Sequence, residues 1–157
     1  MKALTLWRPW PAAIIHSTKR VENRGWLPPR WLIGNDFAIH AGKTVDEATV
    51  EGLIEAAHHM DPDGVHPDLL PGPLGIVAVV RLVGYVSELG GTRVCYGIGS
   101  ERAREIVDSE WYCGPVGWVL DNVRPLTTPV ACKGTQGLWA VPPDVEAAVR
   151  AQIGWEA

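Results

Sequence analysis

The stretch Gly75-Ile76-Val77-Ala78-Val79-Val80-Arg81-Leu82-Val83-Gly84-Tyr85-Val86 carries a single charge and is rich in valine. An apolar run rich in β-branched residues packs well on a pleated surface covered on both faces. Leu74 to Val86 is therefore expected to be the central and longest strand, with Gly75 and Gly84 as sites for bulges. Upstream, Ala3 to Leu6, Arg20 to Arg24 and Asp36 to His40 read as shorter strands, the last ended by Ala41-Gly42. Downstream, Gly117 to Leu120 and Val123 to Leu126 read as two strands joined by a tight Asp121-Asn122 turn, followed by Gly137 to Val141. Helices fall between them. One covers Ala12 to His16, opened by Trp10-Pro11, and a second runs from Thr44 or Asp46 to about His59. A third spans Glu101 to Val107 with Ser100 as cap, and a fourth runs from Pro142-Pro143-Asp144 to about Ile153. Gly25 to Gly34 is a loop, and Met60 to Pro73, with its four prolines, is a long loop of the kind used for lids or insertions. About six short strands with irregularly inserted helices favour an α+β small β-barrel over a doubly wound sheet.

At 157 residues, the chain is expected to form a single domain over 1–157. Its 46% hydrophobic and 20% charged content is that of an ordinary globular protein. No apolar run reaches the roughly 18 residues that span a bilayer. Arg8, Pro9 and Pro11 interrupt the N-terminal segment, so no signal peptide is expected, and a cytoplasmic location with no membrane partner follows as an expectation. The three cysteines, Cys95, Cys113 and Cys132, form no CxxC pair and read as small buried residues. The net charge of -4 argues against a broad basic face for nucleic acid but leaves room for a local basic cleft. Eight tryptophans stand against one phenylalanine. A buried indole needs a partner for its N–H, so several tryptophans are expected to line a pocket.

Chemistry concentrates in Ser17-Thr18-Lys19-Arg20-Val21-Glu22-Asn23-Arg24, preceded by Leu6-Trp7-Arg8-Pro9-Trp10. In an extended strand Glu22 and Arg24 share a face, and Lys19 at the entering turn reaches over it. Such charges are costly to bury unless paired, so they should rim a cleft or line its floor. A lysine beside a glutamate is held protonated and is suited to binding phosphate or polarising a carbonyl.

The S-T-K-R-V-E-N-R segment resembles the G-x-K-x-x-E-x-R signature of the ASCH domain, in the PUA-like superfamily. Lys19, Glu22 and Arg24 stand at the three functional positions, and Ser17 replaces the glycine. LTLWRPWPAAII, IHAGK (39–43), GIVAVVRLVG (75–84), GPVGWVLDNVRPL (114–126) and KGTQGLW (133–139) are similar to the family's other segments, in order. The resemblance implies a PUA-like β-barrel with a cleft beside the motif. It also implies RNA, single-stranded nucleic acid or a modified nucleoside as ligand. Some members are small amidohydrolases acting on N4-acetylcytidine with the motif lysine catalytic; there the position matching Glu22 is a threonine. If the chain is an enzyme, Lys19 and Glu22 are its catalytic pair; the plain alternative for the cluster is a structural ion pair that holds the barrel together.

Around this motif, Trp7, Trp10 and Trp26 are candidates to stack on a base or to close the core. Arg8 is a candidate phosphate contact or a solvated surface cation. His40 is a general acid/base or a hydrogen-bonded core histidine. Lys43 and Lys133 are further candidate cations for the cleft, or turn residues. Nothing in the sequence asks for a cofactor or a metal. Asp61-Pro62-Asp63-Gly64 looks like a calcium loop but lacks the later ligands, and His58, His59 and His66 lack ligand spacing.

Overall fold

The structure is a computed structural model and describes residues 1–48, 51 and 72–154. Its strands are β1 (Lys2–Arg8), β2 (Val21–Arg24), β3 (Asp36–Val45), β4 (Gly75–Leu89), β5 (Thr92–Tyr96), β6 (Val116–Val130) and β7 (Leu138–Ala140). Its helices are α1 (Trp10–His16), α2 (Ser100–Asp108) and α3 (Pro143–Gln152), with a 3-10 turn at Arg30–Leu32. Hydrogen bonds order the sheet as β2-β6-β4-β3-β1-β7, with β5 paired to β4. This is the expected α+β class, and a sheet of this size is compatible with a small β-barrel. Among the described residues no helix is long and apolar enough to cross a membrane.

Several elements depart from the sequence reading. β3 continues through Ala41-Gly42 to Val45, where Arg8 pairs with Val45 after a register shift. Gly42 is there for close approach, because a Cβ would lie 3.0 Å from the Thr5 methyl and 3.3 Å from the Leu6 carbonyl. Thr44 is thus a strand residue; Glu47, Ala48 and Glu51 are helical after Asp46, and the rest of the helix expected to reach His59 lies outside the described residues, as do residues 60–71 of the proline-rich loop. β6 is one continuous strand across Asp121-Asn122. Asn122 takes a left-handed φ of 45°, and its N–H donates to the Asp121 carboxylate at 2.7 Å. One left-handed residue kinks a strand, whereas a two-residue hairpin would reverse it. β5 was absent from the sequence reading. Gly90 and Gly91, both at positive φ, form a two-residue turn that pairs Leu89 with Thr92.

The chain divides into two compact units. The first takes residues 1–18, 38–79 and 124–157. In it, β1 lies parallel to β3 (Thr5 opposite His40) and antiparallel to β7 (Ala3 opposite Trp139). Ala3, Ala38, Ile76, Val79, Leu126 and Val141 pack with Val149 of α3 as one buried cluster. The second unit takes residues 19–37 and 80–123. There β2 pairs antiparallel with the start of β6, placing Glu22 opposite Trp118. Val21, Val86 and Val119 bury Ala103 and Ile106 of α2. Gly99, rather than Ser100, occupies the cap position of α2, and among the described residues no side chain caps it.

Candidate functional site

In the second unit, β2 is only four residues long, and its strand alternation decides the site. Val21 turns into the apolar cluster with α2, while Glu22 and Arg24 share a face. The Glu22 carboxylate sits between two cations: one oxygen lies 3.3 Å from the Arg24 guanidinium, the other 3.8 Å from Lys19 Nζ. Lys19 also donates to the Val21 carbonyl, and its own carbonyl accepts from Arg20 at 2.8 Å. Lys19 is 2% exposed and Glu22 7%, whereas the Arg24 side chain keeps 22% of its surface in solvent. The cluster is therefore a buried pair with one cation at its mouth.

Burial sets the electrostatics. Desolvation disfavours both charged forms, so it pulls the Lys19 ammonium below its ordinary range and pushes the Glu22 carboxyl up. Attraction to Glu22 and to the nearby Cys113 thiol opposes the Lys19 shift; the Arg24 charge adds to it. For Glu22, attraction to Lys19 and then Arg24 opposes the rise. Glu22 favours the protonated lysine, as expected, but burial acts against it and the net direction of the Lys19 shift is down.

The surroundings fix the pair in place. Trp118, fully buried, donates its indole N–H to the Trp26 carbonyl at 3.1 Å and meets the Trp26 ring edge-on at 4.7 Å. Phe37 packs on Trp118 from 6.2 Å. Asn23 donates to the Trp111 carbonyl at 2.8 Å and accepts from the Cys113 N–H at 3.0 Å, tying the segment before β6 to β2. Trp111, Cys113 and Trp118 escaped the sequence reading. Their partners lie about ninety residues away, and only the antiparallel register of β2 and β6 points to Trp118.

The remaining candidates belong to the first unit. The Arg8 guanidinium is committed to three backbone carbonyls: Gly42 at 3.0 Å, Lys43 at 2.9 Å and Gly72 at 3.2 Å. It ties the end of β1 to β3 and to Gly72. Trp7 is exposed, Trp10 half-buried, and Lys43 and Lys133 are exposed. His40 is buried, and its ring nitrogen Nε2 lies 3.2 Å from the Cys132 carbonyl, so Nε2 carries the proton and donates. Nδ1 is then an acceptor, buried and, among the described residues, without a hydrogen-bond partner. The ring stands edge-on to Trp139 at 5.5 Å, and Trp139 donates to the Thr5 hydroxyl at 3.0 Å. Gly134 closes over it: a Cβ there would lie 2.3 Å from the His40 ring. Burial pulls the His40 pKa down, against the pull of the Cys132 hydrogen bond.

The expectation that the cysteines are small buried residues is corrected. Cys95 and Cys113 are exposed and Cys132 is half-buried, because β5 and the segment before β6 lie at the surface. Among the described tryptophans Trp118 is buried, Trp10, Trp111 and Trp139 are half-buried, and Trp7, Trp26 and Trp31 are exposed. Among the described residues no three His, Cys, Asp or Glu side chains group to hold a metal. His58, His59, His66 and the Asp61 loop lie outside the described residues. No protein-family model matches the chain, and no curated protein matches it.

Proposed function

We propose that the chain is an ASCH-like, PUA-like protein that binds RNA or a modified nucleoside at the Lys19–Glu22–Arg24 cluster. The observation that carries this reading is a buried carboxylate flanked by two cations, with Arg24 alone reaching solvent. Such a mouth offers a donor fork beside an acceptor, which matches a nucleobase edge carrying C=O and N–H groups side by side. The half-exposed Trp26, packed on the tryptophan opposite Glu22, supplies a stacking face of the same unit. The test is thermal stabilisation by a panel of unmodified and acylated nucleosides, since a ligand of the native state raises its stability. At least one nucleoside should raise the melting temperature, and Arg24→Gln should remove the shift. A panel without any shift would overturn the reading.

The lowered Lys19 pKa favours a second reading as a small amidohydrolase of acylated nucleosides. A neutral Lys19 amine accepts the proton of a water attacking the acyl carbonyl, and the leaving nitrogen recovers a proton from the Lys19–Glu22 pair. Acetate release from N4-acetylcytidine should then rise with pH through a midpoint below 10.5 and vanish in Lys19→Arg. Binding without turnover leaves only the first reading.

A further inference from the structure

We propose that Arg30, Trp31, Tyr85 and Tyr96, all in the second unit, form a platform on which single-stranded nucleic acid stacks. Tyr85 and Tyr96 face each other across β4 and β5, with rings 5.8 Å apart and 17° from parallel. The Arg30 guanidinium lies 5.5 Å from the centre of the Tyr96 ring. Trp31, next in the same turn, is 56% exposed, and Tyr96 is 44% exposed. Exposed aromatic rings grouped together, unlike single ones, mark an interaction surface.

Charge narrows the choice of partner. Arg81, Arg93 and Arg102 are each paired with a carboxylate, at 2.8, 2.9 and 3.0 Å. Arg30 is held against an aromatic ring instead, and among the described residues no carboxylate pairs with it. A guanidinium stacked this way keeps its N–H donors for an anion. Flat rings beside an unneutralised planar cation fit a base with its adjoining phosphate.

The platform is also built in advance. Gly34 N–H donates to the Leu82 carbonyl at 2.7 Å, and Leu82 N–H returns a bond to Asn35 at 3.0 Å, fixing the end of the Arg30 turn to β4. Gly84 and Gly97 let the two backbones meet: a Cβ would lie 2.2 Å from the Tyr96 carbonyl at Gly84, and 2.5 Å from the Val83 carbonyl at Gly97. Little ordering is then left for a ligand to impose.

The ligand class rests on the nucleic-acid reading above, but the residues do not. The test measures fluorescence anisotropy of an oligoadenylate of about eight nucleotides against wild type, Trp31→Ala, Arg30→Ala and Arg24→Gln. Both platform substitutions sit on an exposed turn, and circular dichroism verifies their folding. Trp31→Ala should weaken binding about tenfold. Arg30→Ala should reduce the slope of log affinity against log salt by about 0.7, which a structural defect alone would not do. Wild type that fails to bind, or variants that bind unchanged, would overturn the platform. Equal competition by an oligoglutamate peptide, or Trp31-dependent self-association without oligonucleotide binding, overturns it as well, in favour of a protein partner. Oligonucleotide binding lost in Trp31→Ala while no mononucleoside shifts the melting temperature keeps the platform and removes the cluster reading. The reverse pattern does the opposite.

Discussion

Lys19 and Glu22 show why a charged motif reads ambiguously from spacing alone. Alternation along a strand correctly places Glu22 and Arg24 on one face, and Lys19 comes within 3.8 Å of Glu22. How deeply they are buried is another matter, since that depends on Trp118 lying opposite Glu22. Removing one member of a buried pair leaves the other charge uncompensated. Lys19→Met should therefore cost about 3–5 kcal/mol in urea denaturation, and Lys19→Met combined with Glu22→Gln should cost less than the sum of the single changes. His40 makes a prediction with a pH sign. Its native pKa lies below the ordinary 6.5, so on acidification the unfolded chain takes up a proton that the buried ring refuses. Stability is full above about pH 7 and falls as the pH drops below that value, levelling only once the native ring itself titrates. His40→Gln, which keeps a donor for the Cys132 carbonyl, should flatten this part of the pH profile of the melting temperature.

Among the elements, the apolar run that begins at Gly75 is the clearest success of pattern reading, because a valine-rich run has few other conformations that bury it. β6 shows the opposite case. Asp121-Asn122 has hairpin composition, yet only Asn122 turns left-handed, and the strand keeps its direction. β5 had a legible signal in Gly90-Gly91, but its five residues are all exposed and so lack the alternation that marks a half-buried strand. The close crossing at Gly84 is a property of two elements together. Gly84→Ala would drive a Cβ into the Tyr96 carbonyl, 2.2 Å away, which is backbone and cannot swing aside. The expected loss is about 1–3 kcal/mol with unstacking of Tyr85 from Tyr96, readable as a change in near-ultraviolet circular dichroism.

For the whole molecule, a net charge of -4 limits how many phosphates can be held at once. Binding of single strands should show a shallow salt dependence, with a log–log slope no steeper than about -2, and duplex DNA should bind far more weakly; titrations at two or more salt concentrations check both. By itself, the sequence determined the α+β class, the positions of most strands and the shared face of Glu22 and Arg24, because periodicity and apolar runs are local properties. Only the tertiary structure decided that Lys19 and Glu22 are buried, that the Arg8 guanidinium serves carbonyls, and that Arg30 and Tyr96 meet. Those facts depend on strand register and on backbone approaches between segments far apart in the chain, which no local pattern encodes. Burial in turn sets the direction of both shifts, with the Lys19 ammonium drawn below its ordinary range and the Glu22 carboxyl pushed above its own.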